Sequence, residues 1–127
     1  MNQIEAAFVL LSILPIVILL YGLKSWKKPV QWGKNMRGGY HSRRADKTPE
    51  HWMFAQMEYA RLNIRLGVLW SVIGILQLVL WKMQILSVPI GIGAGLVECV
   101  VYYIAARWMM EQKLSKRFDA ADALLGR

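Results

Sequence analysis

The feature that most constrains this chain is the sorting of its charges. No charged side chain lies between Ala6 and Leu23, and only two, Lys82 and Glu98, lie between Leu66 and Ala105. An α-helix rises about 1.5 Å per residue, so about 20 largely apolar residues cross a hydrocarbon layer about 30 Å thick. Three blocks reach or approach that length, at about 6–23, 64–81 and 85–106. The second is the shortest, but Leu62 and Ile64 lengthen it and Arg65 can snorkel toward water. Inside lipid every backbone N–H and C=O has to be bonded within its own segment, which makes separate spans helical. The expectation is an all-α integral membrane protein, a single membrane domain over 1–127 with three transmembrane helices. Composition agrees: 56% of the 127 residues are hydrophobic, yet the formal charge is +8. Pro15 predicts a kink in the first helix because its ring removes one hydrogen bond. That helix reads as a retained span. It lacks a preceding basic stretch, and no A-x-A cleavage pattern follows it.

Orientation comes from the loops. The connection from Lys24 to Arg65 holds ten Lys and Arg, the hairpin between the second and third spans holds only Lys82, and the tail after Ala106 holds five. The positive-inside bias then puts the N-terminus outside, with the loop 24–63 and the tail 107–127 in the cytoplasm. Within the loop, the stretch up to Lys47 carries Pro29, Gly33, Gly38 and Gly39 and reads as irregular chain near the headgroups. From Thr48 a helix should start, with Thr48 as N-cap, Pro49 in the first turn and Glu50 at the positive end of the dipole. Trp52, Ala55, Tyr59, Leu62 and Leu66 recur on one face of it. No breaker intervenes before Trp81, so one helix is predicted to begin as a cytoplasmic amphipathic extension and continue as the second span. The tail repeats the pattern in Met110, Leu114, Phe118, Ala121 and Leu125, a C-terminal amphipathic helix that would lie on the membrane or dock on another helix.

Glu98 is the sharpest residue for function, because a carboxylate within a span is costly and usually faces protein or water. Gly91, Gly95, Glu98 and Tyr102 share one face of the third helix, and the two glycines form a small-xxx-small pair that admits another backbone. Gly67, Trp70, Gly74 and Gln77 share a face of the second. Counted from the hairpin, Glu98 comes level with about Val68, which suggests a pair with Arg65 or a hydrogen bond from Tyr102. His41 and His51 lack the spacing of a helical metal pair, and the single Cys99 excludes an internal disulfide. No nucleophile elbow, phosphate loop or paired acids are visible, so no enzyme activity, metal or cofactor is expected. The basic loop is pinned to the membrane, where anionic lipid accounts for its charge, so nucleic acid is not an expected partner. Gly38 and Gly39 permit unusual backbone angles, Tyr40 and Trp52 suit the interface, and Arg43, Arg44 and Lys47 can hold phosphate or a partner's acids.

The stretch from Asn35 to Gln56 resembles the SdpI family of small membrane proteins, named for an immunity protein against a sporulation-delaying toxin. That family has an Asn four residues before a Gly-Tyr-Arg-Thr element, then a Trp thirteen residues after the Gly, a short Ala-Asn or Ala-His ending, and two spans. Asn35, Gly39, Tyr40, Ser42, Trp52, Ala55 and Gln56 occupy the matching places. His41 stands where the family has Arg, Arg43 where it often has Pro, and Gln56 where it has Asn or His. The resemblance covers roughly Asn35 to Ala105. It implies a bacterial cytoplasmic membrane location and an association with immunity to membrane-active peptide toxins.

Two functions are therefore expected to compete. The first is a non-enzymatic membrane protein that binds a peptide toxin or a partner membrane protein. Its intramembrane contact would be Gly91, Gly95 and Glu98, and its cytoplasmic one Tyr40 to Trp52. The second is a proton- or cation-coupled transporter, a homo-oligomer assembled around Glu98. An accessory subunit of a larger complex is a third possibility.

Overall fold

The computed structural model describes residues 1–33 and 38–126. Among them the architecture is all-α: α1 (Gln3–Lys27), α2 (Pro49–Lys82) and α3 (Val88–Leu114), with α3 running through a π-helical turn at Ser115–Asp119 into the short α4 (Ala120–Leu125). Three helices are long and apolar enough to cross a membrane, and most of their large apolar side chains point outward, a surface that suits a lipid bilayer.

The helix boundaries follow local chemistry. Asn2 caps α1 by accepting from the Glu5 N–H at 2.8 Å, and α1 continues through the buried Pro15. Thr48 caps α2 by accepting from the His51 N–H, with Pro49 in the first turn, so extension and span are one helix of 34 residues. Its far end closes with Gln84 at φ 62, while the N–H groups of Ile85 and Leu86 return to the Leu80 carbonyl. This left-handed turn satisfies carbonyls that the helix end would otherwise leave unpaired. It also corrects the start expected for the third span: the hairpin occupies the chain up to Ser87, and α3 begins at Val88.

Packing within the apolar stretches is organised by glycine. Lipid tails are as apolar as leucine, so helices there associate through close contact rather than hydrophobic exclusion. Gly22 sits against Asn63 and Ile64, Gly67 against the Leu19 backbone and Gly74 against the Ser12 carbonyl, which makes α1 and α2 a closely packed antiparallel pair. Gly91 and Gly95 lie against Phe8 and Leu11, so the small-residue face of α3 also receives α1. Phe8 is fully buried there and meets Trp81 edge-on at 5.5 Å.

Beyond the apolar stretches a conventional hydrophobic core takes over. Ala55 and Leu62 of α2 pack with Ala106, Met110 and Leu114 of α3, with Phe118 of the π turn, and with Tyr40 and Ala45 of the loop. The tail is thus docked on α2, one of its two expected dispositions. Its inward stripe is corrected, however: after Phe118 the buried residue is Asp122, while Ala121 and Leu125 are exposed. The i→i+5 π turn widens the helix and keeps residues spaced by four in line.

A side chain at Gly67 would put its first carbon 2.9 Å from the Leu19 backbone, whereas Gly93 faces open space. Gly67→Leu should lose about 1–3 kcal/mol or fail to assemble, as overpacked contacts do. Gly93→Leu should leave thermal unfolding in detergent, followed by tryptophan fluorescence, unchanged.

Candidate functional site

The loop before α2 is held by an amide. Gly38 and Gly39 take left-handed angles, φ 75 and 72, which glycine adopts without a steric penalty. They turn Tyr40 inward, where its backbone N–H donates to Gln56 Oε1 at 2.8 Å and its carbonyl accepts from Gln56 Nε2 at 2.7 Å. Gln56 is 3% exposed, so this side chain replaces a backbone partner that the irregular loop lacks. The Gly39 N–H donates to the Tyr21 hydroxyl of α1 at 3.0 Å, and Trp52 Nε1 donates to the Val30 carbonyl at 2.7 Å. Gly39, Tyr40, Trp52 and Gln56 therefore form one contact set that ties the loop to α1 and α2. Asn35, the first residue of the motif, lies outside the described residues.

Two of the loop's cations, Arg44 and Lys47, are engaged by the tail. Arg44 donates from Nε and Nη2 to the two carboxylate oxygens of Asp119, both at 3.1 Å, and from Nη1 to Glu111 Oε1 at 3.2 Å. A bidentate arrangement is the strongest geometry open to this pair. These carboxylates push the Arg44 pKa up, Asp119 more than Glu111. Tyr40 donates its hydroxyl to Glu111 Oε2 and its pKa is raised, by burial first and then by that carboxylate. Lys47 Nζ reaches Asp122 Oδ2 at 3.4 Å and buried His51 Nε2 reaches the same oxygen at 2.8 Å, with the His51 ring stacked on Phe118 at 3.9 Å. Lys113 crosses back to Glu58 at 3.2 Å. Arg43 and His41 stay exposed; the latter lies 3.4 Å from Asp46, and its carbonyl accepts from Arg107. Among the described residues no three His, Cys, Asp or Glu side chains converge as a metal would require.

Within the apolar stretch, Glu98 has a different partner from those expected. Gln77 Nε2 lies 3.1 and 3.2 Å from its two oxygens. Arg65 is exposed beside Trp26, Arg61 and Ile64, and Tyr102 donates its hydroxyl to Asn63. Two physical reasons account for the correction. The late start of α3 slides Glu98 toward the hairpin. Side chains also tilt toward their helix's N-terminus, so in an antiparallel pair Glu98 and Gln77 lean toward one another.

Glu98 lines a groove of about 230 Å³ between α2 and α3. Its walls are Leu66, Leu69 and Ile73 on one side and Val97, Val101 and Ala105 on the other, with Trp70 and Tyr102 stacked at 5.2 Å. Gly91 and Gly95, expected in the same contact surface, are covered by α1. Gln77 was not expected as the partner, although it shares a face with Gly67, Trp70 and Gly74 and a lone amide in a span is itself a signal. Nor were Glu111, Asp119 and Asp122 expected as partners of the loop; three acids in a basic tail opposite a basic loop could have suggested them.

Replacing Gln56 by Leu strands the Tyr40 N–H and carbonyl away from water, which should cost about 1–3 kcal/mol in thermal unfolding. Arg44→Ala should leave the span region intact but loosen the tail. Trypsin is then expected to cut at Lys116 and Arg117 several times faster in the variant than in the parent protein.

The chain matches no protein-family model, no curated protein and no solved structure.

Proposed function

We propose that this is a small non-enzymatic protein of the cytoplasmic membrane that receives a membrane-inserted helix, a peptide toxin or a span of a partner membrane protein, in the groove between α2 and α3. The observation that carries the reading is the groove itself: an apolar trough open on the outward surface, with Glu98, hydrogen-bonded to Gln77, among its lining residues. Ligand sites are predominantly apolar in their lining, as this trough is, and Glu98 is its one charged lining residue. A helix laid in such a trough exchanges lipid contacts for closer protein contacts, the term that drives association inside a bilayer. The resemblance of Gly39, Tyr40, Trp52 and Gln56 to the SdpI motif supports the same reading and favours toxin immunity. On that reading the basic loop and tail face the cytoplasm, as their excess of Lys and Arg requires. The motif residues act by bracing the loop against α1 and α2, not as an open docking surface.

The competing transporter reading is favoured by one observation, a carboxylate within an apolar stretch. It requires flux in proteoliposomes that Glu98→Gln abolishes.

The receptor reading is tested in cells expressing the chain and challenged with a panel of membrane-active helical peptides. Survival should extend to several-fold higher doses of at least one peptide. Val101→Trp, which fills the groove, should erase that protection, whereas Val72→Trp on the outer face of α2 should keep it. Identical dose curves for the parent chain and Val101→Trp across the panel would sink the proposal.

A further inference from the structure

Glu98 is a carboxylate with no cationic partner among the described residues. Its one hydrogen-bonding neighbour among the described residues, Gln77, presents a single amide nitrogen to both oxygens. An ionised carboxylate has about four lone-pair sites, so one nitrogen leaves most of its acceptor capacity unused. Glu98 is among the residues that line the groove, whose other walls are hydrocarbon and aromatic. Among the described residues, Arg65 is on another face of α2, Arg44 and Lys47 are engaged by the tail, and Lys82 lies over the Trp81 ring. A charge in an apolar stretch is costly unless something opposite meets it.

From this we infer that the groove selects a helix carrying one basic side chain, Lys or Arg, at the depth of Glu98. The inference rests on the receptor reading and adds its specificity. Apolar residues of the incoming helix would cover the walls at Leu69, Ile73 and Val101. Its cation would close on Glu98, with Gln77 holding the carboxylate in place. Discrimination would come from both sides of the match. A basic helix finds its only compensation at Glu98, and a wholly apolar helix leaves Glu98 covered and unpaired, a penalty that works as rejection. The occupant is a separate membrane-inserted peptide, since the cations on the described spans of a second copy in the same orientation stand away from this depth: Arg65 lies about 18 Å along α2 from Gln77, and Lys82 ends that helix.

The test uses the full chain in phosphatidylcholine vesicles with two dansyl-labelled peptides, each a Leu/Ala helix of about 20 residues, identical except for Lys or Leu at the centre. Energy transfer from the protein's tryptophans reports binding. The Lys peptide should bind at least about ten times more tightly than the Leu peptide, a ratio that Glu98→Gln brings close to one. Equal binding of both peptides to the parent chain would overturn the charge selection and leave the groove reading standing. Binding of neither would overturn both. The comparison on the parent chain stands by itself if Glu98→Gln does not fold. Photocrosslinking from Val101 supplies a separate check: adducts formed only with lipid or with a second copy, in the presence of the Lys peptide, would also overturn the inference.

Discussion

Lipid gives apolar helices no reason to leave it, and the structure within the apolar stretches depends on that constraint. Contact has to come from backbones that can approach closely, and glycine provides the approach. Gly22, Gly67 and Gly74 bring α1 and α2 together at three heights, and Gly91 and Gly95 bring α3 to α1. The contacts of α3 with α2 in the same layer carry no such residues, and there the groove opens. Its position is therefore a consequence of where the glycines are, as much as of the residues that line it.

At the other end of the bundle water is present and the usual rules return. Met110, Leu114 and Phe118 are buried against α2, and a shell of ion pairs surrounds them. The Arg44 and Lys47 pairs, partly exposed, contribute little by themselves, whereas the His51–Asp122 pair is buried. Their value lies in geometry: Arg44 bridges two turns of the tail, and Asp122 joins Lys47 to His51. Two of the loop's cations, Arg44 and Lys47, are thus matched inside the molecule, while Arg43 stays exposed.

These two regimes together hold the groove. One half of α3 is fixed to α1 by glycine, the other to α2 by a hydrophobic core, so the helix is anchored above and below Glu98 while the wall between stays accessible. A preformed trough needs little reorganisation to accept a helix, and preorganisation of this kind favours affinity. The Trp70 and Tyr102 stack stiffens the wall nearest the core.

Much of this was legible in the sequence because it depends on local or one-dimensional properties. The three apolar blocks fixed the helices, since a backbone in lipid has few alternatives. Thr48 and Pro49 announced the start of α2, and the spacing of Trp52, Ala55 and Leu62 announced its buried face. Likewise, Glu98 stood out by its cost alone. What the sequence left open was every statement about which face meets which neighbour. The partner of Glu98 turned on a few residues of hairpin that rise without being helical, and on the tilt of side chains in an antiparallel pair. The π turn exchanged Ala121 for Asp122 on the inner face. Gly91 and Gly95 met α1 and not a partner. Such outcomes depend on register and rotation between helices, which arise only when several weak contacts are satisfied at once, and no single segment encodes them.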